Sequence, residues 1–174
     1  MPPPFDPAAC RRALADDLFG GPLITNHWRG EWAERLVLAG LGPGWRQVGG
    51  GWASYDLEGP DGQAVEVKQA AARQSWHAVG DPPSRPAFDI AARTGRWEGT
   101  AWRDAPGRAA SAYVFAWHPV ADETADHTDA SQWRFSVVRA DALPDQKTMG
   151  LRALARLAAP VAWDALGAAL HRVR

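Results

Sequence analysis

Two acidic residues and a lysine stand at a spacing that suits metal-assisted chemistry. Glu66, Val67 and Lys68 are consecutive, and Asp56 precedes Glu66 by ten residues. Lys68 is one of only two lysines among 19 basic residues, so it stands out in a composition that otherwise uses arginine. The pKa of an ammonium group can be shifted by its surroundings, whereas a guanidinium stays charged. Two acids and a lysine on neighbouring strands are the groups that metal-assisted hydrolysis of a phosphodiester requires.

The sequence between the two acids predicts a β-hairpin. Residues 52–58 and 63–70 have strand patterns, and Pro60-Asp61-Gly62 between them is typical of a three-residue turn with glycine in the left-handed position. The register that follows places Asp56 directly opposite Glu66 on the same face of the sheet. Two facing carboxylates repel each other, and a divalent cation between them removes that repulsion.

These residues predict a magnesium site, at which Mn²⁺ can replace Mg²⁺. Asp56, Glu66 and the main-chain carbonyl of Val67 would supply part of the octahedral oxygen shell, and water and a phosphate oxygen would complete it. Glu66 and Lys68 share one face because side chains alternate along a strand. Lys68 would orient or deprotonate the attacking water, or neutralise charge in the transition state.

A predicted helix ahead of the hairpin offers a third acid. Its apolar stripe runs from Trp32 to Leu41, and Gly42-Pro43-Gly44 ends it. At about 100° per residue, Glu34 falls at the rim of this stripe and Glu31 falls on the solvent side. A residue at the rim can reach a site at the junction of helix and sheet, so Glu34 is the favoured auxiliary ligand.

Structural interpretations of the same residues stay open. Asp56 could be a strand-end acid and Lys68 a solvated strand residue, because an acid two positions before a lysine is common. Asp145-Gln146-Lys147 has that spacing too, but it follows a proline and is interpreted as a helix start capped by Asp145. His118 and His127 stand near a group of acids between residues 122 and 129, which is more typical of a solvated loop than of a second metal site.

The remaining pattern predicts a single α/β domain (α+β, layered) over residues 1–174, in which helices precede and follow a run of strands. Its core spans about residues 26–140, and C-terminal helices occupy residues 147–174. The further predicted elements are helices at 7–19, 71–78, 151–157 and 163–173, strands at 88–91, 112–118 and 132–139, and a loop over most of 95–108.

Composition excludes several classes of protein. The net charge is −1, which argues against a protein that coats nucleic acid but leaves room for a local basic groove. Cys10 is the only cysteine, so neither an internal disulfide nor a cysteine-based zinc site can form. No stretch has the length of an apolar membrane helix and no signal peptide is apparent, so the expectation is a cytoplasmic protein without a membrane partner.

Several stretches together resemble a known family. They are the run 52–57, the turn 60–62, the strand 65–68, the segment 74–76, the acid-bearing helix 30–37 and the later strands 112–116 and 132–135. This combination resembles the PD-(D/E)XK nuclease superfamily, and more closely its small bacterial members with the restriction-endonuclease-like fold. The sequence departs from the pattern in having Tyr55, not proline, before Asp56, and two adjacent prolines within residues 79–86.

The resemblance implies a central mixed β-sheet flanked by helices and a Mg²⁺-dependent nuclease that cleaves DNA in preference to RNA. Asp56 and Glu66 would be metal ligands, Lys68 the catalytic lysine and Glu34 an auxiliary ligand. Gln74, with Ser75 beside it, would contact the nucleic acid. A homodimer would allow both strands to be cut together.

Two alternatives to an active nuclease remain. One is a nucleic-acid-binding module of the same fold with a weak catalytic centre, and the other is a structural or interaction protein whose tryptophans hold partners. An arginine- and tryptophan-rich stretch bears on this choice, because it is either a phosphate-tracking surface with stacking aromatics or a solvated loop packed by tryptophan. Its members are Arg85, Arg93, Arg96, Trp97, Trp102, Arg103 and Arg108.

Overall fold

The computed structural model describes residues 5–48, 53–98 and 100–173. They form a mixed α/β fold around a five-stranded sheet. The strands are β1 (Arg46–Gln47), β2 (Leu57–Glu58), β3 (Ala64–Ala71), β4 (Phe88–Asp89), β5 (Arg96–Glu98), β6 (Ala101–Arg103), β7 (Ala112–His118), β8 (Arg134–Arg139) and β9 (Thr148–Met149). In the main sheet the order is β1-β2-β3-β7-β8, in which β3 and β7 are parallel and the other neighbours are antiparallel.

The described residues also form four α-helices: α1 (Pro7–Phe19), α2 (Asn26–Leu41), α3 (Leu151–Leu157) and α4 (Leu166–His171). The Asp6 carboxylate caps α1 by accepting from the Ala8 amide at 2.8 Å. The predicted bounds of α1, α3 and β7 are confirmed, as is the predicted end of α2 ahead of Gly42. The last predicted helix is shorter than expected, since a 3-10 turn at Trp163–Ala165 precedes α4.

The alternation of side chains along β3 and β7 builds a separate core on each face of the sheet. On one face Ala33 and Val37 of α2 pack with Leu166 of α4 against Val65 and Val67. The other core lies beneath α3 and the short strand pair β4–β9. It contains Phe88, Phe115, Val138, Met149 and Leu154. β3 is therefore held from both sides.

Several predicted elements are wrong in extent or type. The strand predicted at 52–58 is regular only at β2, and Trp52 lies outside the described residues. The helix predicted at 71–78 does not form, because β3 runs on to Ala71 and turns follow it. The loop predicted at 95–108 contains the hairpin β5–β6. Asp145 caps no helix, since β9 intervenes before α3 begins.

Among the described residues, none of the helices combines the length and apolar character needed to cross a bilayer.

Candidate active site

The predicted turn between β2 and β3 forms as expected. Gly62 has a φ of 75°, a left-handed conformation that favours glycine. Its amide donates to the Gly59 carbonyl at 3.0 Å, and the Gly59 amide donates to the Gln63 carbonyl at 2.9 Å. This turn fixes the register of the hairpin, in which Leu57 pairs with Val65.

Asp56 lies where this regular pairing ends. Its amide donates to the Val65 carbonyl at 3.0 Å, although Val65 is already the partner of Leu57. Asp56 and Leu57, which are successive, thus both face Val65, as in a β-bulge. Asp56 therefore does not form the regular cross-strand pair with Glu66 that the sequence predicted. The Asp56 carboxylate instead accepts from the Val67 amide at 2.6 Å. The irregularity aims this carboxylate at the open edge of β3.

The main-chain carbonyl of Val67 points to the same edge. The N–H and C=O groups of one strand residue point to the same neighbouring strand. Ala64 and Ala72 bond toward β7, while Gln63 and Val65 bond toward β2. Val67 belongs to the second set, and its amide already meets Asp56. Its carbonyl oxygen is therefore on the Asp56 side of β3, beyond the end of β2.

Glu66 and Lys68 form an ion pair on one face of β3. Lys68 Nζ lies 2.5 Å from Glu66 Oε1, and their side chains are 21% and 17% exposed. In the parallel register Glu66 is beside Tyr113 and Lys68 is beside Phe115 of β7. Both side chains are half-buried next to these two aromatic residues of β7, which restrict where the ammonium group of Lys68 can move.

Asp56, Glu66 and Lys68 line one cavity of about 350 Å³. Its opposite wall comes from the segment that leads into and out of the hairpin β5–β6. Residues from that wall include Arg93, Gly95, Trp97, Trp102 and Arg108. The structure therefore brings the predicted acid–acid–lysine group together in a concave site, the usual location of a small-molecule or catalytic centre.

The electrostatics of the cavity disfavour two ionised carboxylates. The pKa of Asp56 is raised to about 7 by burial and, to a smaller extent, by the nearby Glu66 and Glu34 carboxylates, while the Val67 amide and the Lys68 ammonium oppose the shift. A cation would relieve this repulsion. A carboxyl group with a strongly perturbed pKa inside a cleft is typical of a functional site.

Glu34 approaches this group from α2. It is half-buried, whereas Glu31 is exposed, and its Oε2 accepts from the Gln47 side-chain amide at 2.7 Å. Burial raises the pKa of Glu34, the bond from Gln47 opposes that change, and the charges of Glu31 and Glu66 add to it. Glu34 does not line the cavity itself. Glu34 is close enough to Asp56 to raise its pKa, and it is placed to assist the proposed metal ligand Asp56.

The donor chemistry at the Asp56 edge fits a hard cation. Two carboxylates and the Val67 carbonyl are the oxygen ligands that Mg²⁺ prefers when it retains several waters. Among the described residues, no three acidic, histidine or cysteine side chains converge on one point as a metal-binding group would. Each acid has another partner: the Val67 amide for Asp56, Lys68 for Glu66 and Gln47 for Glu34. The fit is thus to a two-carboxylate site.

The two predicted substrate-binding residues are elsewhere. Gln74 is buried beyond the C-terminal end of β3, where its amide nitrogen donates to the Ala71 carbonyl at 2.8 Å. Ser75 is in the turn that follows. Neither lines the cavity. The prediction required a helix at 71–78, and the continuation of β3 carries both residues away from Glu66 instead.

A second polar cluster surrounds Gln74 at that end of the sheet. His118 and His127 are fully buried, with ring centroids 4.9 Å apart. His127 Nδ1 accepts from the Ile24 amide at 2.9 Å, and its Nε2 is 3.2 Å from the Arg73 carbonyl. Burial, with a contribution from the charge of Arg29, lowers the pKa of His127 to about 4. Both histidines are therefore neutral in the interior, where His118 Nδ1 and Gln74 Oε1 have no hydrogen-bond partner.

Sequence reasoning missed several residues of the cavity. Tyr113 is placed beside Glu66 only by the parallel pairing of β3 with β7, for which no local signal exists. Burial, with a contribution from Glu66, raises the pKa of Tyr113 to about 12, so it remains a neutral hydroxyl there. Asp89 also lines the cavity, and Trp97 and Trp102 reach it because the predicted loop is a hairpin.

In comparisons with family models, with curated proteins and with solved structures, the chain matches none of them. The class of protein is therefore defined by its own geometry. It is a mixed α/β protein in which a cavity beside the central sheet holds two carboxylates and a lysine.

Proposed function

We propose that this protein is a metal-dependent nuclease that hydrolyses phosphodiester bonds in DNA, with Mg²⁺ as its cofactor and a fold of the restriction-endonuclease-like type. The observation that carries the proposal is the convergence of Asp56, Glu66 and Lys68 on one cavity, where burial and the charge of Glu66 raise the pKa of Asp56. The mixed sheet with helices packed on both faces is consistent with that fold.

The cation would be held by the carboxylates of Asp56 and Glu66 and by the carbonyl of Val67. When bound, it supplies Lewis-acid polarisation of the phosphate and a water of lowered pKa. The Asp56 carboxylate is already held near the Val67 carbonyl by its bond to the Val67 amide. Binding at this edge therefore requires little rearrangement of the main chain.

Lys68 contacts the reacting groups from the face of β3 that also carries Glu66. Its ammonium is held at 2.5 Å by Glu66 Oε1, which fixes its position next to the proposed ligands. From there it donates a hydrogen bond to a phosphate oxygen or to the attacking water, and it stabilises the negative charge that develops during the displacement. Glu34, held by Gln47, orients the Asp56 side of the site from behind the sheet edge.

The test is a cleavage assay on single-stranded DNA, double-stranded DNA and RNA with Mg²⁺, with Mn²⁺ and with EDTA. We expect cleavage of DNA with either metal, no cleavage in EDTA, and loss of cleavage in Asp56→Asn and Glu66→Gln. Glu34→Gln should weaken cleavage, while Glu31→Gln, on the exposed side of the same helix, serves as the matched control.

A second readout separates cleavage from binding. Mg²⁺ should raise the melting temperature of the wild-type protein and should have little effect on Asp56→Asn. Binding of DNA without cleavage under every metal condition would reject the nuclease and favour a binding module. Absence of both binding and cleavage would favour a structural or interaction protein.

A further inference from the structure

The hairpin β5–β6 places two tryptophans on the cavity wall that faces the proposed catalytic group. Trp97 and Trp102 are cross-strand partners, with ring centroids 5.6 Å apart and ring planes at 73°. Both line the cavity, and they are 41% and 48% exposed. Large aromatic side chains usually bury more of their surface, so a pair that stays open toward a catalytic cavity is suited to bind a flat ligand.

Trp102 is held firmly in this position. A Cβ atom on Gly95 would lie 2.6 Å from the Trp102 ring, so only glycine allows the indole to pack this closely against the main chain. The indole Nε1 donates to the Asp104 carboxylate at 3.1 Å. One side of the indole is fixed in this way while nearly half of its surface remains accessible. A preorganised ring loses little conformational freedom when a ligand stacks on it.

The size of the cavity limits what can enter. At about 350 Å³ it is at the lower end of the range for small-molecule pockets, which suits one nucleotide unit and not a stack of base pairs. Bases within a duplex have their faces covered by neighbouring bases. Only an unpaired base can present a face to an aromatic side chain, and such stacking is the main mode of recognition for single strands.

The charges of the lining agree with a nucleotide. Lys68, Arg93 and Arg108 provide positive charge around the cavity, and Arg93 is anchored by an ion pair with Asp89 at 2.8 Å. Arg108 is held by the Ile90 and Pro144 carbonyls. The lining thus combines an aromatic platform, fixed cations and, besides Asp89 in its ion pair with Arg93, the two acids Asp56 and Glu66. These match the base, the phosphate and the proposed metal respectively.

We propose that the cavity binds a single unpaired nucleotide of a DNA strand, with its base stacked on Trp102 next to Trp97 and its phosphate at Asp56, Glu66 and Lys68. This inference rests on the proposed nuclease function and narrows its substrate to single-stranded DNA, including single-stranded ends of a duplex. A fully paired duplex is too wide to enter the cavity, and the hairpin β5–β6 closes the cavity on one side.

The binding experiment uses the full-length Asp56→Asn protein, labelled single-stranded and blunt duplex oligonucleotides, and fluorescence anisotropy at constant salt. We expect tighter binding of the single strand. Trp102→Leu should weaken it about tenfold, since base–aromatic stacking has an effect of that order. Trp102→Phe should retain most of the affinity. Trp76→Ala is the control, because Trp76 is 65% exposed but lies outside the cavity.

Cleavage of the same oligonucleotides, in the background with intact Asp56, separates the two proposals. Single-strand binding that depends on Trp102, without cleavage in Mg²⁺ or Mn²⁺, would reject the nuclease and keep the nucleotide site. Cleavage of blunt duplex that Trp102→Leu leaves unchanged would keep the nuclease and overturn the nucleotide site. Equal loss of affinity in Trp102→Phe and Trp102→Leu, with intact folding, would also overturn it, since a stacking role predicts rescue by phenylalanine.

Discussion

The strands β3 and β7 carry a polar cluster at each end, and the two clusters differ in the charges of their side chains and in their exposure to solvent. At one end Glu66, beside Tyr113, joins Asp56 and Lys68 on an open cavity. At the other end Ala71 pairs with His118, and the closed cluster of His118, His127 and Arg29 begins. The first holds like charges that repel each other. The second holds buried groups that the fold keeps neutral, together with one buried guanidinium.

The two clusters differ in how their titratable groups respond to burial: the pKa of Asp56 is raised at the open end, and the pKa values of both histidines are lowered at the closed end. His127 has a partner at each ring nitrogen, and burial lowers the pKa of both histidines, while His118 Nδ1 and Arg29 Nη1 are buried without a hydrogen-bond partner. Arg29 is held by Gln69 and Asn26, although burial lowers its pKa to about 10. Asp56, by contrast, has a raised pKa that only a cation or a proton relieves. Destabilised carboxylates in a cavity are the stronger indication of function.

The largest expected effect is on catalysis at the open end. Lys68→Met should lower the cleavage rate by about a thousandfold, because it removes the only ammonium near the reacting phosphate. Lys147→Met is the matched control, since Lys147 is the other lysine and is exposed. Single-turnover kinetics at saturating metal measure the difference. Equal rates in the two variants would remove Lys68 from the mechanism and weaken the distinction between the two ends.

The closed end should respond in stability and not in catalysis. His127→Leu leaves the Ile24 amide and the Arg73 carbonyl without their partner, and we expect it to lower the free energy of unfolding by about 4 kcal/mol. Urea denaturation measures this loss. His27→Leu, at an exposed position of α2, should change it little. A fall in cleavage by the folded His127→Leu protein would show that the closed cluster has a functional role after all.

The elements of the fold that are long, periodic or capped were predictable from the sequence. The Asp6-Pro7 start fixes α1, and the continuous apolar run fixes β7. The hairpin turn followed from Gly62, because few residues other than glycine adopt its φ. The short strands were not predictable. β5 and β6 have three residues each, and their pairing depends on a contact across Gly95 that no local pattern shows.

The candidate site was predictable in its members but not in its geometry. Asp56, Glu66 and Lys68 share one cavity because the turn sets the register, which is local information. The bulge at Asp56 and the proximity of Tyr113 depend on strand ends and on parallel pairing, which are tertiary. Gln74 lies away from the cavity because β3 continues to pair with β7 as far as Ala71, where the sequence predicted a helix.

Acid should weaken the closed end through His127. Its pKa is about 4 in the folded protein and about 6.5 when unfolded, so between these values the unfolded chain binds more protons. The contribution of His127 to stability is therefore complete above about pH 6.5 and is lost as the pH falls toward 4, by at most about 3 kcal/mol.

Urea denaturation of the wild type and of His127→Asn across this range measures the contribution of His127, since other titrating groups cancel in the difference. We expect the stability advantage of the wild type to shrink with acidification. An advantage that stays constant with pH would mean that His127 is protonated equally in both states.

The open end should show the opposite dependence, with a smaller effect. The pKa of Asp56 is about 7 when folded, against an ordinary value of 3.8, so the folded state holds this proton more tightly. Stability therefore falls as the pH rises from about 4 to about 7, and above pH 7 Asp56→Asn should raise the free energy of unfolding by about 1 kcal/mol, a small value because the cavity is open to water. Below about pH 4 the difference should vanish, because both side chains are neutral.

Thermal denaturation checks this prediction, and Asp17→Asn on the exposed surface of α1 is the control. Addition of Mg²⁺ above pH 7 should reverse the order, because the wild type gains the binding energy of the cation and Asp56→Asn does not. If Asp56→Asn is less stable than the wild type in EDTA above pH 7, the hydrogen bond to the Val67 amide outweighs the repulsion from Glu66. Asp56 would then be a satisfied structural acid, and the two ends of the sheet would no longer differ in kind.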